Sequence, residues 1–178
     1  MDETLAREEY AELRATIRQR GTARVWLFWV SVASWAALTT ATGALSSLPI
    51  STLVPLVVLA CGFEGVLALH VGVERVGRYL QVRFEETRNL PGWETTTMAF
   101  GERFPGAGPD PLFPVMFGIA ALLNLVPALL LQPTRAELGV LGAAHLMFLG
   151  RVFRARQVAG RQRAADLARF REIARTTT

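Results

Sequence analysis

The sequence predicts an all-α membrane protein with four transmembrane helices, both termini on the cytoplasmic side, and cytoplasmic helical extensions at the N- and C-terminal ends. Three observations carry this reading. First, 51% of the 178 residues are hydrophobic and only 19% are charged, against roughly 25% charged in an average soluble domain; mean hydropathy is +0.30. Second, the charges are segregated into the N-terminal segment, one internal loop and the C-terminal segment, with long apolar stretches between them. A hydrocarbon core about 30 Å thick needs roughly 20 apolar residues per helical span. Four stretches meet that need, at 25–45, 52–73, 112–131 and 136–153, and little chain remains to build a separate soluble core. Third, the arginines alternate with the spans. Five precede span one, five lie in the loop 74–111 and eight follow span four, whereas the two outer turns hold none and one. Arg and Lys accumulate in cytoplasmic segments, so this alternation sets the orientation and independently supports an even number of spans. The organisation that follows is a cytoplasmic amphipathic helix at 1–22, a four-helix bundle at 23–156 and a basic cytoplasmic tail at 157–178.

Residues 3–20 read as a charged helix with a narrow apolar stripe. Leu5, Glu9, Leu13 and Ile17 step by four with Tyr10 beside them, and Arg7, Arg14, Arg18 and Arg20 surround the stripe. Such a helix lies on a membrane surface or pairs with another helix. Gly21 and Thr22 break its pattern before span one. The segment is too polar for a secretory leader, and the first apolar run is too long for one, so 25–45 is expected to stay as a signal anchor.

Span one opens with Trp26 and Trp29, whose rings suit the interface, and carries Ser31, Ser34, Thr39, Thr40 and Thr42, small polar residues that permit close helix contact. An uncharged Ser46-Ser47-Leu48-Pro49 turn leads to span two. Pro55 falls in the first turn of that helix, where proline is tolerated, and the helix is predicted to continue through Glu74, Arg75, Arg78, Arg83 and Glu86. The Gly- and Pro-rich loop 89–111 is longer than packing requires. Within it Trp93, Thr97, Phe100 and Phe104 fall at helical spacing, which predicts a short interfacial helix with aromatic rings among the headgroups. Pro127 stands one turn from the end of span three, where it can kink the helix. Span four is short, so Arg151 is expected to snorkel; Gly139, Gly142 and Ala143 give it a small-residue face. The tail then continues as a helix with Leu167, Phe170, Ile173 and Ala174 on a partly apolar face.

Glu64 is the most informative residue. A carboxylate inside a span costs on the order of 3 kcal/mol and should face the bundle with a partner. Counting helical rise from the span ends places Glu64, Asn124 of span three and His145 of span four in the middle half of the membrane, with Ser34 near the same level. Two readings stand: a proton or ion site in which carboxylate and imidazole exchange protons, or polar glue that locks the helices. A second cluster, His70, Glu74, Arg75 and Arg78, lies at the cytoplasmic end of span two. His70 and Glu74 share a face at a spacing that suits two metal ligands, with Glu94, Glu102 or Asp110 needed to complete a set. The alternative is a salt-bridged helix end, and no metal is assigned.

No phosphate loop, nucleophile elbow, paired zinc histidines or dinucleotide fingerprint occurs, so no cofactor is expected. Cys61 is the only cysteine, which excludes an intrachain disulfide. All 19 basic residues are arginine, a coding bias. The pI of about 10.5 is explained by the positive-inside excess. Expected partners are the lipid bilayer, anionic headgroups at the basic tail, and a second copy or another membrane protein. Nucleic acid is disfavoured because no aromatic stacking platform accompanies the arginines. The expected function is a non-enzymatic scaffold or regulatory subunit of the cell membrane; the alternative is an oligomeric pore or proton-coupled carrier built on Glu64 and His145.

Overall fold

The computed structural model describes residues 3–86, 92–104 and 112–176; of the loop 89–111, the positions 89–91 and 105–111, Asp110 included, lie outside them. The described residues form helices α1 (Glu3–Leu45), α2 (Leu53–Leu80), α3 (Trp93–Arg103), α4 (Leu112–Leu130) and α5 (Arg135–Thr176), with a 3-10 turn at Pro49–Thr52 and a π-helical turn at Gln81–Glu86. No strand occurs among them. Four helical stretches are long and apolar enough to cross a membrane: Glu3–Leu45, Pro49–Glu86, Phe113–Leu130 and Arg135–Thr176. The short helix read from the spacing of Trp93, Thr97, Phe100 and Phe104 is present as α3, with Phe104 as its C-cap, and the helix read as span four continues into the C-terminal segment.

Gly21 and Thr22 do not end a helix as the sequence predicts, since α1 runs through them. One glycine costs a helix roughly 1 kcal/mol relative to alanine, and strong helix formers on both sides outweigh that. Helix α4 ends beyond Pro127 with Gln132 in the left-handed region, at φ 54°, the geometry that reverses a chain after a helix. Thr134 and Glu137 then start α5 as a capping box. Glu137 accepts from Thr134 N and Thr134 Oγ1, both at 2.8 Å, while Glu137 N donates back to Thr134 Oγ1.

The chain divides into two compact units. One comprises Arg24–Leu67 and Pro111–Gln157; the other comprises Met1–Ala23, Ala68–Asp110 and Val158–Thr178. The first, the apolar unit, is organised by edge-to-face phenylalanines. Phe28 of α1 meets Phe113 and Phe117 of α4 at 5.0 and 5.6 Å; Phe63 of α2 meets Phe117 and, in α5, Phe148 at 5.4 and 6.0 Å. All four helices therefore share one aromatic core. Helices α1 and α2 approach so closely that a Cβ on Gly62 would overlap the side chain of Ser31. The small-residue contact thus lies in α2. In α5, Gly139 and Gly142 have no atom of a neighbouring helix within 4 Å of where a Cβ would be.

The second, the charged unit, has its own small core: Ala6, Leu80 and Phe84 are buried and Tyr10, Leu13, Ile17, Val76 and Tyr79 pack around them. The stripe on the first helix is therefore Ala6, Tyr10, Leu13 and Ile17, not the run of fours through Leu5 and Glu9. At 3.6 residues per turn, steps of four drift off a face, whereas alternating steps of four and three hold it. Leu5 is exposed, and Glu9 accepts a hydrogen bond from Tyr79 Oη at 2.6 Å.

Candidate functional site

The polar residues of the apolar unit converge on Asn124, which is fully buried. Its Oδ1 accepts from Trp35 Nε1 at 3.0 Å and from Thr39 Oγ1 at 3.3 Å; its Nδ2 donates to the Thr52 carbonyl at 2.8 Å and to His145 Nε2 at 3.2 Å. His145 Nδ1 lies 2.8 Å from the Leu141 carbonyl and donates to it. That contact selects the neutral tautomer with a free Nε2 lone pair, the form able to accept from Asn124. Every hydrogen-bonding position of the Asn124 amide is filled, by groups from α1, the 3-10 turn and α5. Asn124 and His145 are thus brought together, and the third and fourth partners of the amide are Trp35 and Thr39, on one face of α1. Ser34 is not a partner of Asn124; Trp35, its neighbour in sequence, is.

Glu64 sits elsewhere. It is about three turns along α2 from Leu53, or about 17 Å of helix rise, and so does not share the layer of Asn124 and His145. Its Oε2 accepts from Arg151 Nη2 at 2.8 Å, with the two side chains 50% and 40% exposed. Arg151 also lies over the Phe63 ring, 6.0 Å from its centroid. Arg151, which the sequence reading expects to snorkel, thus has its counter-ion on α2. The depth count missed this because it measured each helix from an assumed membrane edge, and errors of a turn in separate helices add.

In the charged unit Glu74, Arg75 and Arg78, three of the four residues of the second predicted cluster, enter a network of ion pairs. Arg78, buried, donates to Gln81 Oε1 at 2.8 Å and to Glu94 Oε2 at 3.2 Å; Arg14 takes the other oxygen of Glu94 at 3.0 Å. Glu94 is therefore clamped between arginines from α1 and α2. Burial raises its carboxyl above the ordinary range, against the opposing pull of Arg78 and Arg14, and burial lowers the Arg78 guanidinium. Glu74 pairs with Arg163, and Arg75 Nε with Asp166 Oδ2 at 3.0 Å. Glu86 accepts two hydrogen bonds from Arg171, at 3.1 and 2.7 Å, which hold its carboxyl below the ordinary range.

Glu85 anchors α3 by accepting from the backbone N–H of Glu94 at 3.0 Å and of Thr95 at 2.7 Å, capping a helix that has no capping side chain at Gly92. Gly92 is required at this place, since a Cβ there would overlap the Glu85 carboxylate. The opposite face of α3 presents Trp93, Phe100 and Phe104, all exposed, with Arg103 against Phe104.

Of the residues weighed as metal ligands, Glu74 and Glu94 are held by arginines, and no group of three or more His, Cys, Asp or Glu suited to a metal occurs among the described residues. The sequence pointed to His70 and Glu74 by spacing alone. It named Glu94 only as a possible metal ligand and did not point to its pairing with Arg14, or to that of Arg171 with Glu86, because those partners lie 80 and 85 residues apart and leave no local pattern. Compared with known proteins, the chain matches no family model, no curated protein and no solved structure.

Proposed function

We propose that the protein is a non-enzymatic scaffold or regulatory subunit of the cell membrane, crossing it four times with both termini in the cytoplasm. The observation that carries this reading is the charged unit. Three stretches of chain, set before span one, between spans two and three, and after span four, fold into one body, tied by Arg14–Glu94, Arg163–Glu74, Arg75–Asp166 and Arg171–Glu86. A protein that only conducts or carries has no need of such a body, whereas one that holds a partner at the membrane does. The arginine alternation supports a cytoplasmic position for it. The aromatic face of α3 supports contact with headgroups, as ring-bearing amphipathic helices seek that zone, and exposed arginines of the tail add attraction to anionic lipid.

The polar groups of the apolar unit favour glue over transport. The Asn124 amide has no position left for an ion, His145 is held as a neutral acceptor, and Glu64 stands apart from both. The test is proton flux in liposomes at controlled potential, wild type beside Glu64→Gln, together with labelling of single cysteines at Thr97 and Ser47 in a Cys61→Ser background. No flux in either protein, with position 97 reached only from the cytoplasmic face and 47 only from the outer face, is the expected result. Flux in the wild type that disappears in a folded Glu64→Gln protein would replace this reading with that of a carrier.

A further inference from the structure

The Glu64–Arg151 pair faces outward from the apolar unit. Both side chains are substantially exposed, and each uses one atom in the bond between them. If α2 and α5 cross a membrane, as the reading above has it and on which this inference rests, the remaining carboxylate oxygen and guanidinium N–H groups face acyl chains that cannot bond them. On α2 the exposed residues that lead to Glu64 are Val54, Val57 and Cys61. With Glu64 they follow the three-four spacing of a helix–helix seam, and Cys61 is small enough to admit a second helix closely.

We propose that this seam is the interface of a homodimer, closed by a ring of two Glu64 and two Arg151 side chains. The occupant follows from symmetry. A twofold axis along the membrane normal reverses any direction in the membrane plane, so the vector from Glu64 to Arg151 in one copy meets its opposite in the other. The carboxylate of each copy then faces the guanidinium of its mate, and one patch is complementary to itself, as an isologous contact requires. An unrelated membrane protein would need a matched pair of its own at the same depth.

Cys61 lies one turn from Glu64 on the seam and reports on it. In bilayers, a short bifunctional maleimide should join wild-type chains through Cys61, and Cys61→Ser should abolish the product. Glu64→Arg and Arg151→Glu each place like charges within a chain and across its homodimer, so each alone should lose the cross-link. Mixed in one membrane, these two variants restore opposite charges only across the interface, and differently tagged copies should cross-link to each other. A wild type that yields no product in bilayers overturns the proposal and leaves the pair to lipid headgroups. A product that persists in both single variants, or fails to return in the mixture although both variants elute as folded protein, also overturns it. Release of the wild type from membranes by alkaline carbonate would instead defeat the membrane reading beneath.

Discussion

At the scale of single residues, the apolar unit depends on one amide and one glycine. Asn124→Leu fits the space but leaves Trp35 Nε1, the Thr52 carbonyl and His145 Nε2 without their partner. Interhelical hydrogen bonds in membranes contribute about 0.6 kcal/mol each, and stranded buried groups cost more, so about 2 kcal/mol of stability should go, read from the unfolding midpoint in mixed micelles. Gly62→Ala and Gly139→Ala form a sharper pair. Both exchange glycine for alanine in a helix, a change that by propensity alone is favourable by up to about 1 kcal/mol. At 62 the new methyl overlaps Ser31, and overpacking of this kind costs about 1–3 kcal/mol; at 139 it enters open space. The first substitution should lower the midpoint and the second should hold or raise it. Equal effects would show that helix propensity, not the α1–α2 contact, decides both. The sequence flagged Asn124 and His145 because polar side chains are rare in apolar runs. It could not rank Gly62 above Gly139, because both sit in small-residue contexts and only the neighbouring helix distinguishes them.

At the scale of elements, the tie between the C-terminal part of α5 and the π-helical turn is pH-dependent. Arg171 lowers the Glu86 carboxyl below its ordinary value of 4.5, so the contribution of this pair is complete above that value and is lost as pH falls through the lowered folded value. Both side chains are partly exposed, so screening keeps the effect small. A spin label at Thr176→Cys, in a Cys61→Ser background, should gain mobility on acidification below the ordinary carboxylate range. Glu86→Gln should show the mobile spectrum at every pH, and an unchanged titration in that variant would assign the transition to another group. Glu94 acts in the opposite sense: its raised value means that ionisation as pH rises from 4.5 disfavours the folded form. Element existence was legible in hydrophobic runs and aromatic spacing. The start of α5 was also written in the sequence, as Thr134 followed three residues later by Glu137, the spacing of a capping box. The cap of α3 was not legible, because Glu85 reaches it from the end of another helical segment.

At the scale of the whole molecule, the two units should fail separately. Glu94→Ala leaves Arg78, buried, and Arg14 without their shared counter-ion, and breaking a buried pair from one side costs about 3–5 kcal/mol. Limited trypsin digestion of the variant should cut at arginines in 1–23 and 158–176, while the Phe63–Phe117 core and the Asn124 cluster, which contain no residue of the charged unit, keep their stability. Loss of both units together would show that they fold as one. The segregation of apolar and charged stretches made the four helices long and apolar enough to cross a membrane readable at this scale. Which charged segments would join, and through which ion pairs, depended on partners 80 to 91 residues apart, and no periodicity records that.

Every cation in the ion pairs of the charged unit is an arginine, in a chain with no lysine. A guanidinium keeps its proton across the whole range in which proteins remain folded, so alkali has almost no purchase on these contacts, and enzymes that acylate side-chain amines find no substrate among them. Within these ion pairs charge can change only on the carboxylate side, which confines their response to acid and leaves them unmoved by alkali.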